Sequence, residues 1–105
     1  MMVNVKNEKP SPGLEEFCHE FLRDRLSEYQ TITRRCEVND FEQVRKMAHK
    51  WKGFSAPYGF NHLEELSTSL EKAASLAEPT KVKALLGEID LYLKAKMEFM
   101  NHNAS

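Results

Sequence analysis

Val44-Arg45-Lys46-Met47-Ala48-His49-Lys50-Trp51-Lys52-Gly53 decides how this chain is read, because its apolar residues return every three or four positions. With Phe41 before and Ser55 after, Val44, Ala48 and Trp51 make one stripe. At 100° per residue these positions fall within about 60° of one another, whereas His49 lies roughly 120° from their mean direction. The stretch therefore predicts an amphipathic helix with its histidine outside the core. Glu42, Lys46, Gly53 and Ala56 share the exposed sector with His49, and Lys52 sits on the flank between the histidine and the apolar stripe. Positions i, i+3 and i+4 are neighbours on a helix, so the imidazole has an ammonium beside it and a residue without a side chain just beyond. That combination suits phosphoryl chemistry and leaves room for a bulky partner.

Three more helices follow from the same reasoning. Upstream, Leu14, Phe17, Cys18, Phe21, Leu22, Leu26, Tyr29, Ile32 and Cys36 advance in threes and fours, with Ser11 as cap and Pro12 at the first helical position. This predicts one long helix over 11–38, preceded by a flexible polar segment over 1–10. Asn39 with Glu42 resembles a capping box that opens the second helix, and Pro57 with Gly59 ends it. Asn61 with Glu64 opens a third, whose inner face is Leu63, Leu66, Leu70, Ala73 and Ala77. The fourth begins after Glu78-Pro79-Thr80 and buries Val82, Leu85, Leu86, Ile89, Leu93, Met97 and Met100. Short links between such helices predict an all-α, antiparallel up-down-up-down four-helix bundle over 11–101, with 102–105 as a tail.

Composition narrows the function. A chain of 105 residues fits one small domain. The formal charge of -1 gives no whole-molecule field for nucleic acid. No apolar run is long enough for a membrane span and the first residues have no leader-like core, so a soluble cytoplasmic protein is expected. Cys18 and Cys36 lie roughly 27 Å apart on one helix, too far for a disulfide. His19, His62 and His102 stand on separate segments without metal-ligand spacing, so no metal site is expected.

The turn between the second and third helices supplies an independent constraint on His49. Glu71 lies as far after residue 60 as His49 lies before it, so antiparallel neighbours bring the two to the same height. Glu71 is also on the flank of the Leu70 stripe. A hydrogen bond between them would hold the ring in one tautomer and leave the other nitrogen's lone pair outward.

With these residues in place, the chain resembles a histidine-containing phosphotransfer (HPt) domain, the four-helix module of two-component phosphorelays. The resemblance covers about Leu14 to Met100. It rests on Asp40-Phe41-Glu42 leading into Ala48-His49-Lys50-Trp51-Lys52-Gly53, then Gly59, Leu63, Leu66 and Leu70-Glu71. Trp51 stands where a smaller aliphatic residue is usual, Phe54 is large for its position, and Pro57 interrupts the last turn of the helix.

The resemblance implies that His49 accepts a phosphoryl group from a receiver-domain aspartate and passes it to another receiver, with Lys52 beside the phosphate and Glu71 on the ring. It implies response-regulator receiver domains and a hybrid sensor kinase as partners, docking over Lys46, Lys50, Gly53, Phe54 and Ala56. No cofactor of its own is expected, since Mg²⁺ would belong to the receiver, and no Walker loop or glycine-rich lid indicates ATP-dependent kinase activity. Because every stripe is needed for the internal core, a monomer is expected. Two alternatives stay open: a receiver-binding helical adaptor without phosphotransfer, and a structural bundle in which the motif is coincidental.

Overall fold

The computed structural model describes residues 5–102, and every regular element among them is helical. The four α-helices are α1 (Cys18–Glu37), α2 (Phe41–Phe54), α3 (Asn61–Ser75) and α4 (Pro79–His102), with single 3-10 turns at Val5–Asn7, Glu15–Phe17 and Ala56–Tyr58. The expected four-helix, all-α architecture is therefore present. None of these helices is long and apolar enough to cross a membrane.

The apolar stripes meet in one core. Trp51, Phe60, Ile32, Leu63, Leu70, Ile89, Leu93, Val44 and Val82 are fully buried. Burying side chains of this size contributes about 1.5–3 kcal/mol each relative to exposure, so the α2 and α3 stripes fix the faces those helices present to each other. Tyr29 Oη donates to Leu86 O at 2.8 Å and ties α1 to α4. Cys18 and Cys36 are both buried free thiols.

Three helix ends close in the same way. Asn39, Gly59 and Ala77 have φ of +59°, +85° and +50°. In each case the residue's own amide and the next one fold back on the preceding turn: Asn39 and Asp40 donate to Cys36 O and Arg35 O, Gly59 and Phe60 to Ala56 O and Ser55 O, and Ala77 and Glu78 to Ala74 O and Ala73 O. This left-handed closure satisfies carbonyls that a helix end otherwise leaves open. Asn39 therefore terminates α1 instead of capping α2. The cap is Asp40, whose carboxylate accepts from Gln43 N at 3.3 Å.

Other expectations change for local reasons. The first helix does not start at Ser11, because Gly13 at φ +95° is left-handed and cannot belong to a right-handed helix. A 3-10 turn leads into α1 at Cys18 instead, and Phe17 is left 45% exposed. Ala77 is exposed at the closure of α3, so it is not an inner-face residue. On α4, Met97 is 39% exposed while Tyr92 and Lys96 are buried, since the inward stripe drifts with the helical period and Lys96 has a buried partner. That partner is Glu8. Residues 5–10, expected to be loose, pack on the bundle: Val5 lies against the core and Glu8 accepts bonds from α3 and α4. Residues 1–4 and 103–105 of the expected ends lie outside the described residues, and α4 itself reaches His102.

The two closures without asparagine make opposite predictions. Ala77→Gly removes the strain of a left-handed Cβ, so stability should rise by about 0.5–1 kcal/mol in urea unfolding. Gly59→Ala should lower it by about 2–4 kcal/mol, because a Cβ there would meet Pro10 N at 2.8 Å and Lys9 C at 2.9 Å. Equal and small effects of both changes would contradict this account.

Candidate functional site

Ala48 and Trp51, both fully buried, pin α2 against the core and thereby turn His49 outward. Its side chain is 65% exposed. Across the seam, buried Leu70 does the same for α3 and leaves Glu71 at the rim, 19% exposed. His49 Nδ1 lies 2.8 Å from Glu71 Oε2, and Lys52 Nζ lies 2.7 Å from Glu71 Oε1. One carboxylate thus holds both groups, one on each oxygen. An ionised carboxylate is acceptor-only, so Nδ1 carries the proton when the ring is neutral and Nε2 keeps its lone pair on the edge away from Glu71.

The same geometry sets the charge state of Glu71. The hydrogen bond from Lys52 lowers its pKa, partial burial opposes the shift, and the bond from His49 reinforces it; the net result is a carboxyl below its ordinary value. It therefore stays ionised across neutral pH, as the tautomer argument requires. Ser75 Oγ donates to the Glu71 main-chain carbonyl at 2.9 Å without engaging the carboxylate.

Around this cluster the surface is open. No atom outside its own helix backbone and chain neighbours lies within 4 Å of a Cβ built on Gly53. Lys46 is exposed one turn before His49. Arg45 is engaged by Glu42, with bonds of 3.0 and 2.7 Å, so much of its charge is already offset.

Not all expected surface residues face this way. Lys50 reaches toward α1 and pairs with Glu28 at 2.8 Å. Phe54 also turns toward α1, edge-on to Phe21 with ring centroids 5.5 Å apart and with the Arg25 guanidinium 4.5 Å from its own centroid. Ala56 is half-buried in the turn after α2. The site thus brings together His49, Lys52 and Glu71, with Lys46 and Gly53 on the same face, whereas Lys50 and Phe54 belong to the α1–α2 groove.

Glu28 was not anticipated from the sequence, yet it organises that groove. It accepts Trp51 Nε1 and Lys50 Nζ at 2.8 Å each and lies 2.7 Å from Arg25 Nε. Burial raises its pKa, but the bonds from Lys50 and Trp51 and the Arg25 charge outweigh burial and leave it lowered. A buried indole N–H demands an acceptor, which was the available signal; nothing in the chain says that the acceptor lies 23 residues earlier.

Among the described residues no three or more His, Cys, Asp or Glu are grouped to hold a metal ion. Compared with known proteins, the chain matches no family model, no curated protein and no solved structure. Chemically, the arrangement offers an exposed imidazole whose outer nitrogen has a lone pair when the ring is neutral, an adjacent carboxylate able to stabilise positive charge on the ring, and a nearby ammonium. Such a set suits nucleophilic attack on an electrophile that carries negative oxygens.

The depressed Glu71 pKa gives a pH prediction. A carboxylate more acidic in the folded than in the unfolded chain adds stability above the ordinary glutamate pKa of about 4.3 and loses it as pH falls through the folded value. A carbon-13 titration of Glu71 should have its midpoint below about 4.3, moving up in Lys52→Ala. A wild-type midpoint at or above the ordinary value would contradict the two-donor clamp.

Proposed function

We propose that this chain is a histidine phosphotransfer protein of the HPt type, carrying a phosphoryl group on Nε2 of His49. The observation that supports the reading best is Glu71 bridging His49 and Lys52 on a face kept open by Gly53. With it goes an antiparallel up-down-up-down order of α1 to α4, which the short links after α1, α2 and α3 favour. The protein acts as a monomer in the cytoplasm. Its partners are receiver domains of response regulators and of a hybrid sensor kinase.

In the transfer, the Nε2 lone pair attacks the phosphorus of a receiver aspartyl phosphate in line with the scissile bond. The N–P bond forms as the P–O bond breaks, and the electron pair leaves with the aspartate carboxylate. The proton on Nδ1 stays, so the phosphorylated ring is cationic and the Glu71 carboxylate 2.8 Å away offsets that charge. Lys52 is placed to turn from Glu71 toward the phosphoryl oxygens. The step asks for positioning and charge from this chain and little else. Mg²⁺ and the acidic pocket belong to the receiver, and the chain needs no nucleotide and no kinase activity of its own.

Incubation with receivers phosphorylated in advance should give an acid-labile, base-stable label on wild-type protein and none on folded His49→Ala. Label that persists in His49→Ala would refute the site, and a chain that binds receivers yet never becomes labelled would be an adaptor. Gly53→Leu should leave the bundle folded, since a Cβ at this exposed position meets no neighbour within 4 Å, but lose transfer by about tenfold or more through bulk at the docking face. Unchanged transfer in Gly53→Leu would show that partners approach elsewhere.

A further inference from the structure

At the amino end of α3, three donors converge on one carboxylate. His62 N lies 2.7 Å from Glu8 Oε2, and Tyr92 Oη and Lys96 Nζ lie 2.6 and 3.2 Å from Oε1. The α3 cap position is Phe60, which offers no side-chain acceptor, so Glu8 supplies from a distance what a local cap would supply. Burial, followed by the bond to Glu8, raises the Tyr92 pKa far above that of a free phenol, so the hydroxyl remains a donor. Lys96 is 5% exposed at its side chain and also donates to Gly59 O at 2.8 Å, with its ammonium 4.4 Å from the Phe60 ring centroid. All three donors sit on α3 or α4 and are held there by the core. The acceptor alone comes from a segment outside the α-helices.

That segment lies across the bundle. Ser11 N donates to Pro57 O at 2.8 Å, Lys9 and Pro10 pass over Gly59, and Val5 rests on the core. Beside the carboxylate opens a cavity of about 290 Å³ with Phe60 and Met100 among its apolar walls, and Glu8, Glu15, His19 and Lys96 on its polar side. A buried cation next to an apolar hollow suits a ligand with a carboxylate head and a short apolar body.

We propose that His62 N–H, Tyr92 and Lys96 form an anion site that the chain fills with its own Glu8, making residues 5–11 a strap that a small apolar carboxylate from outside can replace. The site is independent of His49 and of the phosphotransfer reading. Removing the internal carboxylate should leave a vacancy that accepts an external one.

The test uses the full chain carrying Glu8→Ala, with sodium acetate and sodium hexanoate as probes and sodium chloride at equal ionic strength as control. Acetate should raise the melting temperature of Glu8→Ala saturably and more than it does for wild type. Hexanoate should half-saturate at a concentration at least about tenfold lower, because its methylenes enter the cavity. Adding Lys96→Met should abolish both responses. If Glu8→Ala is unfolded without added anion, acetate-dependent recovery of helical circular dichroism is the readout. The proposal is overturned by a response no larger than that of wild type or chloride, by equal half-saturation for the two acids, by a response that survives Lys96→Met, or by no recovery of an unfolded variant.

Discussion

Glu71 has two oxygens and uses one for His49 and the other for Lys52, and the candidate face depends on that division. Without the carboxylate, the imidazole on an exposed helix position would sample both tautomers and several rotamers, and the ammonium would swing into solvent. The clamp is possible only because the α2–α3 seam is rigid. Val44, Ala48 and Trp51 from one helix, with Leu63 and Leu70 from the other, are completely buried, so neither helix can rotate without opening cavities that cost several kcal/mol each. Core packing thus sets the geometry and the carboxylate selects the chemistry.

The same device appears twice more. Glu28 gathers Trp51, Lys50 and Arg25 and joins α1 to α2, while Glu8 gathers His62, Tyr92 and Lys96 and joins the N-terminal segment to α3 and α4. In each case one acceptor-only side chain draws together groups from different parts of the chain. Of these, only the Glu8–Lys96 pair is buried, where desolvation offsets the attraction and losing one partner is costly; the pairs at Glu71 and Glu28 are partly exposed and add little net stability. The three carboxylates act mainly by specifying which surfaces meet. Of the three, Glu71 is the one whose partners include an exposed imidazole.

The sequence made legible what depends on periodicity and on the symmetry of a turn. The stripe Val44, Ala48, Trp51 put His49 outside the core, and equal spacing about residue 60 put Glu71 beside it; both placements hold. Helix ends were read less well, because left-handed closure at Asn39 and Ala77 is decided by backbone hydrogen bonds and not by side-chain type. Asn39 looked like a cap for that reason. Lys96 was missed because its burial requires Glu8, 88 positions earlier in the chain, and no local pattern encodes such a pair. Lys50 and Phe54 both flank α2, and Glu28 and Phe21 of α1 draw them to that side, which no pattern within α2 encodes.

Nitrogen-15 NMR of the His49 ring under alkaline conditions, where the imidazole is neutral, tests the central claim most directly. The account predicts a protonated Nδ1 and an unprotonated Nε2 in the wild-type chain, with that preference lost in Glu71→Ala. A wild-type ring carrying its proton mainly on Nε2 would contradict it, because the nitrogen proposed to receive the phosphoryl group would then have no free lone pair.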